Sequence, residues 1–388
     1  MKERLRIERV RLRELRLPLR SPFQISGGTM RVRRSLIVEL ESEGAVGYGE
    51  AAPFEQPFYS SETFGSALAL YRELLIERLR GRAFGSVDEL EAELGRGVRG
   101  NPMARCGIEN AFWDLMAARR GAPLTTLIGE RMEALGVAAE RRASRPRIAS
   151  GVALGIPEGE RLETLAEGIQ EARAEGYQRV KIKIRPGWDV EPCRCARRAL
   201  GPDFLLWADA NAAYDLTADG GRLRALDEFG LAFLEQPLQH DDLLDHARLA
   251  RLIRTPICLD ESLTSARTAC QALEVGASRI WNVKVQRLGG LAEAIRVYAL
   301  AVESGVALWG GTMPESGIGA QPMLALGAFS GFTYPADIEP SRRWYGPGVD
   351  PVELTMSPEG WIEVPATAGL GPRLDPEAYA AHTRPLAV

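Results

Sequence analysis

The chain has 388 residues, 45% of them apolar and 26% charged. That composition excludes a disordered protein or a small disulfide-stapled one, and allows two or three domains or one large barrel with an attachment. Lys plus Arg is 48 against 52 for Asp plus Glu, a net charge of −4, so no general attraction to nucleic acid or to an anionic membrane is expected and a small-molecule partner is.

The start, Met1-Lys2-Glu3-Arg4-Leu5-Arg6, is too charged for a secretory leader, and no apolar run reaches the roughly 20 residues that span a bilayer. Alternation over 7–17, 35–40 and 46–50, with a Glu43-Gly44 turn, predicts a small antiparallel sheet. Helical spacing follows at 61–80, 87–94 and 103–120, the last with Ile108, Ala111, Phe112 and Leu115 on one face. Strands followed by helices predict an α+β unit over 1–139. The arginine-rich stretch 140–147 has no apolar face and reads as a solvated linker and domain boundary.

Beyond it, short apolar runs alternate with amphipathic segments: 148–154, 180–184, 205–210, 232–235, 256–259, 280–285, 306–309 and, weakly, 332–338. Eight strands and seven helical segments predict a closed parallel α/β barrel over 148–340. An open doubly wound sheet would usually carry a glycine-rich phosphate fingerprint after its first strand, and Leu154-Gly155-Ile156-Pro157-Glu158-Gly159 is not one. The five cysteines, Cys106, Cys193, Cys195, Cys258 and Cys270, match neither a zinc pattern nor a disulfide framework. A cytoplasmic protein is expected.

Charged residues are rarely buried unless paired or bound to metal, yet five consecutive barrel strands carry one near the carboxyl end. They are Lys183, Asp209, Glu235, Asp260 and Lys284, separated by 26, 26, 25 and 24 residues, about one strand-helix unit each. Equal steps place them at one height of the ring, at the end where barrel enzymes keep their chemistry. Residues two apart share a face, so Lys181 joins Lys183, Asn211 joins Asp209, and Asn282 joins Lys284. Three carboxylates on neighbouring strands make an all-oxygen site suited to a hard cation, Mg²⁺ rather than Zn²⁺. The flanking lysines can then serve as base and acid.

These strand ends, together with Gly47-Tyr48-Gly49-Glu50, Ile108-Glu109-Asn110-Ala111-Phe112-Trp113-Asp114 and Pro123-Leu124-Thr125-Thr126-Leu127-Ile128-Gly129, resemble the enolase superfamily and its muconate-lactonizing-enzyme subgroup over nearly the whole chain. The resemblance implies a modified TIM barrel, (β/α)7β, with an N-terminal α+β capping domain toward which 341–388 packs back. It implies that Asp209, Glu235 and Asp260 bind Mg²⁺, with Mn²⁺ as a substitute, and that Lys183 and Lys284 face opposite sides of a substrate α-carbon. Lys181, Asn211, Glu261, Asn282 and Arg287 would support them. Superfamily sites of this kind use a Lys or His base and Mg²⁺ to hold an ene-diolate.

Within the subgroup, 183–189, 284–290 and 315–319 are most similar to the o-succinylbenzoate synthase and N-acylamino acid racemase family, and Arg287 matches an arginine of members that racemise. The implied reaction is α-proton abstraction from a small carboxylate, either N-acyl(succinyl)amino acid racemisation or syn-dehydration to o-succinylbenzoate. Gly310-Gly311-Thr312-Met313 is similar to muconate cycloisomerases, and Asp337 with Glu339 to the acid pair of dipeptide epimerases. Both stay as alternatives, with a Schiff-base lysine aldolase or a non-catalytic metal-holding barrel behind them. Expected substrate contacts are Phe23, Phe54, Tyr59, Trp309, Glu315 and Asp337, and a homo-oligomer is expected. Gly289-Gly290 reads as close helix packing in preference to a phosphate cradle, and His240 and His246 as non-catalytic.

Overall fold

Alternate residues of strands Arg9–Ile25 and Gly28–Ser42 bury opposite faces of one antiparallel ribbon. Leu12, Leu36, Val38 and Leu40 pack with the helices of the N-terminal half, whereas Leu15, Leu17 and Ile37 pack against Ile318, Tyr345 and Leu370 from later in the chain. The period-2 pattern thus sorts side chains between two cores rather than between core and solvent. Strand Ala45–Ala51 extends the sheet on one side, and the C-terminal strand Thr383–Leu386 on the other. Helix Pro102–Arg120 lies against Ala45–Ala51 so closely that a Cβ on Gly49 would stand 2.1 Å from the Gly107 carbonyl. This computed structural model describes residues 4–25 and 28–388, and of 23–25, 28 and 29 the backbone alone.

Seven parallel strands follow in sequential neighbour order: Val152–Leu154, Val180–Lys183, Leu206–Asp209, Leu234–Glu235, Ile257–Leu259, Ile280–Val283 and Ala307–Gly310. The expected eighth strand is reduced to two parallel bridges, Phe332 to Leu308 and Ala336 to Ser150. These join the seventh strand to the start of the first and close the ring. Pro335, between the bridges, has no N–H to give to a ladder. Trp207, Phe233 and Trp309 fill the barrel interior, Trp207 lying 4.4 Å from Phe233 and 5.1 Å from Trp309 by ring centroid.

The arginine-rich stretch is not simply solvated. Arg145, though exposed, donates to the carbonyls of Gly327, Ala328, Phe329 and Phe332, at and just beyond the end of helix Gly317–Gly327. All five cysteines are free thiols. No helix among the described residues is long and apolar enough to cross a membrane.

Candidate active site

Lys183, Asp209 and Glu235 end the second, third and fourth strands. Register pairs Lys183 with Asp209 and Asp209 with Glu235, so three charges stand in one row. Glu235 then pairs with Cys258, which makes Asp260 the next inward position of the fifth strand. The row climbs there, as the stagger of a closed barrel requires.

The lysines meet the acids from different sides. Lys183 Nζ donates to Asp209 Oδ2 at 2.6 Å and to Asn211 Oδ1 at 2.7 Å. Lys284 Nζ donates to Asp260 Oδ2 at 2.8 Å, and Arg287 pairs with Oδ1 of the same carboxylate. Between them Glu235 accepts from Asn282 Nδ2 at 3.0 Å. Lys181 Nζ lies 3.4 Å from Glu235, 3.5 Å from Asp209 and 2.8 Å from Asp337. Asn211 donates to Glu261 at 2.9 Å, so Lys181, Asn211, Asn282 and Arg287 touch the row directly and Glu261 reaches it through Asn211. Asn211 and Gln236, directly beyond this row, hold φ of 42° and 38°, left-handed turns of the kind that gather at functional sites.

Burial and crowding split the acids. Burial and the neighbouring Asp209 push Glu235 up to about 8, and burial with Asp260 pushes Glu261 up to about 7. Asp260 is as deeply buried, yet Lys284 and Arg287 hold it down at about 2. Burial opposes charge on Lys284, but Asp260 outweighs it and keeps the amine well above the ordinary lysine range. Glu235 Oε2 and Glu261 Oε2 are buried without a hydrogen-bond partner.

Among the described residues no group of three or more His, Cys, Asp and Glu side chains forms a ready metal site. Asp209, Glu235 and Asp260, expected as one ligand set, are each drawn to nearby amine, guanidinium or amide groups, with Lys181 shared by Asp209 and Glu235. The donor set still fits a hard cation: the carboxylates offer only oxygens, and Glu235, whose Oε2 has no hydrogen-bond partner and whose carboxyl is pushed up by its neighbours, marks a surplus of negative charge.

Two of the expected substrate contacts are engaged with protein groups. Trp309 is fully buried in the barrel interior, with Lys181 Nζ 4.9 Å above its ring and its indole N–H on Cys258 Sγ. It packs the floor, because the seventh strand presents it below the acid row. Asp337 is held by Lys181 and by Arg179, and these cations outweigh burial and keep its carboxyl well below the usual range. Phe54 and Tyr59 come over from the N-terminal domain with ring centroids 6.2 Å apart. The Tyr59 hydroxyl lies 3.4 Å from both Lys284 Nζ and Arg287 Nη1. Glu315 accepts from Met313 N, and burial pushes it up to about 7. The side chain of Phe23 lies outside the described residues.

His246 is buried behind Gln236, its ring 3.4 Å from the Gln236 amide. Gly290 accommodates a protein carboxyl group instead of a phosphate: a Cβ there would coincide with Glu109 Oε2, and Glu109 Oε1 accepts from Ala292 N at 2.9 Å. Sequence reasoning missed Arg179, although it shares the inward parity of Lys181 and Lys183. It also missed Gln236, whose Oε1 accepts from Asp260 N and Ser262 N.

The enolase C-terminal domain-like family model matches residues 164–378, and the mandelate racemase / muconate lactonizing enzyme N-terminal domain model matches 7–129. The chain belongs to this family. It is 41% identical to an N-succinylamino acid racemase of Thermus thermophilus (95% of each chain) and 39% identical to an o-succinylbenzoate synthase of Geobacillus kaustophilus (98% of this chain, 96% of the relative). A Listeria innocua enolase-superfamily structure superposes with a TM-score of 0.88 at 33% identity, covering 98% of both chains. As a member of the enolase superfamily it is an enzyme of the racemase and lyase kind, and the capped barrel is that superfamily's fold.

Proposed function

We propose that the protein racemises N-acyl amino acids, N-succinyl derivatives above all, with Mg²⁺ as cofactor and Mn²⁺ as a substitute. The observation that carries this reading is the separation of the two lysines along the acid row, Lys183 on Asp209 and Lys284 on Asp260. One amine for each face lets a proton leave on one side and return on the other. Asp209, Glu235 and Asp260 would hold the metal, which when bound neutralises charge growing on the substrate carboxylate. Asn282 orients Glu235, and the Gln236 amide oxygen fixes the backbone that carries Asp260.

Asp337 argues against a dipeptide. Its carboxylate is already neutralised by Arg179 and Lys181, so the eighth-strand position offers little attraction to a substrate ammonium. A second reading, syn-dehydration to o-succinylbenzoate, is favoured by the unlike settings of the two lysines, Lys284 sharing its carboxylate with Arg287 and Lys183 pairing with Asp209 and Asn211. There one lysine acts as base while the other contributes charge. Both relatives' names accord with these two reactions.

The test is α-proton exchange in D₂O with Mg²⁺ across N-succinyl amino acids, dipeptides and the cyclohexadiene precursor of o-succinylbenzoate. Both enantiomers of N-succinyl amino acids should exchange. Turnover of the cyclohexadiene without such exchange selects dehydration, and exchange confined to dipeptides overturns the proposal.

A further inference from the structure

Gln286 follows Lys284 by two residues and directly precedes Arg287, in the single helical turn Val285–Leu288. Its side chain is buried and turned away from the acid row. The amide pairs twice with the backbone of the capping domain: Nε2 donates to the Glu50 carbonyl at 2.7 Å, and Oε1 accepts from Ala52 N at 3.1 Å. Both halves of the amide are used, in the manner of a strand neighbour, so the contact fixes position as well as proximity.

Ala52 is where the aromatic loop begins. Seven residues later the loop returns to the same helical turn, where the Tyr59 hydroxyl stands 3.4 Å from Lys284 and from Arg287, with Lys284 Nζ 5.1 Å from the ring centroid. The loop is therefore pinned at one end by Gln286 and touches the neighbours of Gln286 at the other. A second clamp prevents the pinned end from drifting: the Glu50 carboxylate accepts from Ser316 N and Oγ and from Gly319 N, on the turn and helix after the seventh strand. A Cβ on Gly319 would stand 2.7 Å from Glu50 Oε2, so that junction is close-fitting.

We propose that Gln286 is a positioning residue: by anchoring residues 50–52 it sets where Tyr59 rests against Lys284, and so governs proton transfer on the Lys284 face more than on the Lys183 face. The inference rests on the two-lysine reading for its kinetic consequence, but the anchor itself can be measured without substrate. A small misplacement of a reacting group can cost about 10²-fold in rate.

The experiment has two arms on the full chain. In hydrogen exchange followed by mass spectrometry, Gln286→Met should speed exchange of residues 54–59 at least tenfold while Pro102–Arg120 and the barrel strands keep their protection. Gln286→Glu, which retains the acceptor for Ala52 N, should fall between and serves if Gln286→Met does not fold. Unchanged loop protection, or a rise no greater than that of the whole chain, overturns the anchor. In D₂O with N-succinyl amino acid enantiomers, Gln286→Met should slow exchange on the Lys284 face at least fivefold more than on the Lys183 face, and the excess should vanish in a Tyr59→Phe background. Equal losses on both faces overturn the inference. Absence of exchange in the wild type would instead remove the racemase reading, with the anchor still decided by the first arm.

Discussion

Two sets of buried carboxylates hold this protein together, and they are bound in opposite ways. At the barrel mouth Asp209, Asp260 and Asp337 meet amines and guanidinium groups. Where the capping domain packs on its neighbours, Glu50, Glu109 and Asp114 meet backbone N–H groups: Glu50 those of Ser316 and Gly319, Glu109 that of Ala292, Asp114 those of Tyr48 and Leu370. A backbone N–H can still donate to an amide oxygen, though less strongly than to a carboxylate, whereas an ammonium or a metal needs the charge. Changing carboxylate to amide should therefore be severe at the mouth and mild at the junctions.

The largest effects belong to the lysines that the mouth acids hold. Lys183→Ala and Lys284→Ala should each lower racemisation about 10³-fold, within the usual range for removing an acid-base group. Each should leave exchange of one enantiomer detectable in D₂O. Equal exchange of both enantiomers in both variants would sink the two-base arrangement.

Next come Asp209→Asn, Glu235→Gln and Asp260→Asn. Each should abolish the rise in thermal midpoint that Mg²⁺ gives the wild type and lose about 10²-fold or more in activity, since an amide is a poor ligand for a hard divalent ion. Circular dichroism should show the fold retained. Near wild-type activity in two of the three variants would remove the metal assignment.

The mouth was legible in the sequence because a barrel converts a chain period into a place. Steps of 24 to 26 residues, each with a charge at or one residue past a strand end, give the row of Lys183, Asp209, Glu235, Asp260 and Lys284 by counting alone. What fails to be legible are roles set by partners distant in sequence. Trp309 looks like a mouth aromatic until its strand is seen to place it under Lys181. Asp337 looks like a free acid until Arg179, 158 residues away, is seen to neutralise it. Gln286 lies beside the predicted machinery, but an uncharged amide carries no signal of the backbone it will pair with. The eighth strand illustrates the same limit: its apolar residues are present, and Pro335 divides it into two bridges.

Asp337→Asn tests a mouth acid that lies outside the proposed metal set. It leaves Arg179 and Lys181 buried with less compensating charge, at a cost of about 3–5 kcal/mol typical of breaking such a pair, measurable by denaturant unfolding. A cost under about 1 kcal/mol would mean that the carboxylate is not structurally committed and is available to substrate.

At the junctions, pH is the sharper probe. Burial and Glu91 raise Glu109 to about 8 from an ordinary value of 4.5. A carboxyl with a raised folded value binds more protons folded than unfolded, so its favourable contribution is present at low pH and is lost as pH rises from about 4.5 through about 8. Between pH 6 and 8 the loss should be on the order of 2 kcal/mol. Glu109→Gln keeps an acceptor for Ala292 N and should flatten that part of the curve of thermal midpoint against pH. An unchanged slope would place the titration elsewhere.

The smallest effect should come from Glu339→Gln, where a mouth position is bound like a junction acid. Glu339 Oε1 accepts from Ala153 N at 3.0 Å, while Oε2 has no hydrogen-bond partner and lies 3.6 Å from Arg343. Burial raises its carboxyl to about 7, so below that pH the side chain is neutral and the amide is its near isostere. With N-succinyl amino acids the variant should match wild-type kcat/KM within about twofold at pH 6. A difference should open only above pH 7, where the wild-type residue gains a charge that the variant lacks and repels the succinyl carboxylate more. The variant should then be the faster enzyme at pH 8 to 9, by a factor that shrinks as salt is added. A large loss at pH 6, or one confined to dipeptides, would show that Glu339 contacts substrate and that the eighth strand selects for an ammonium after all.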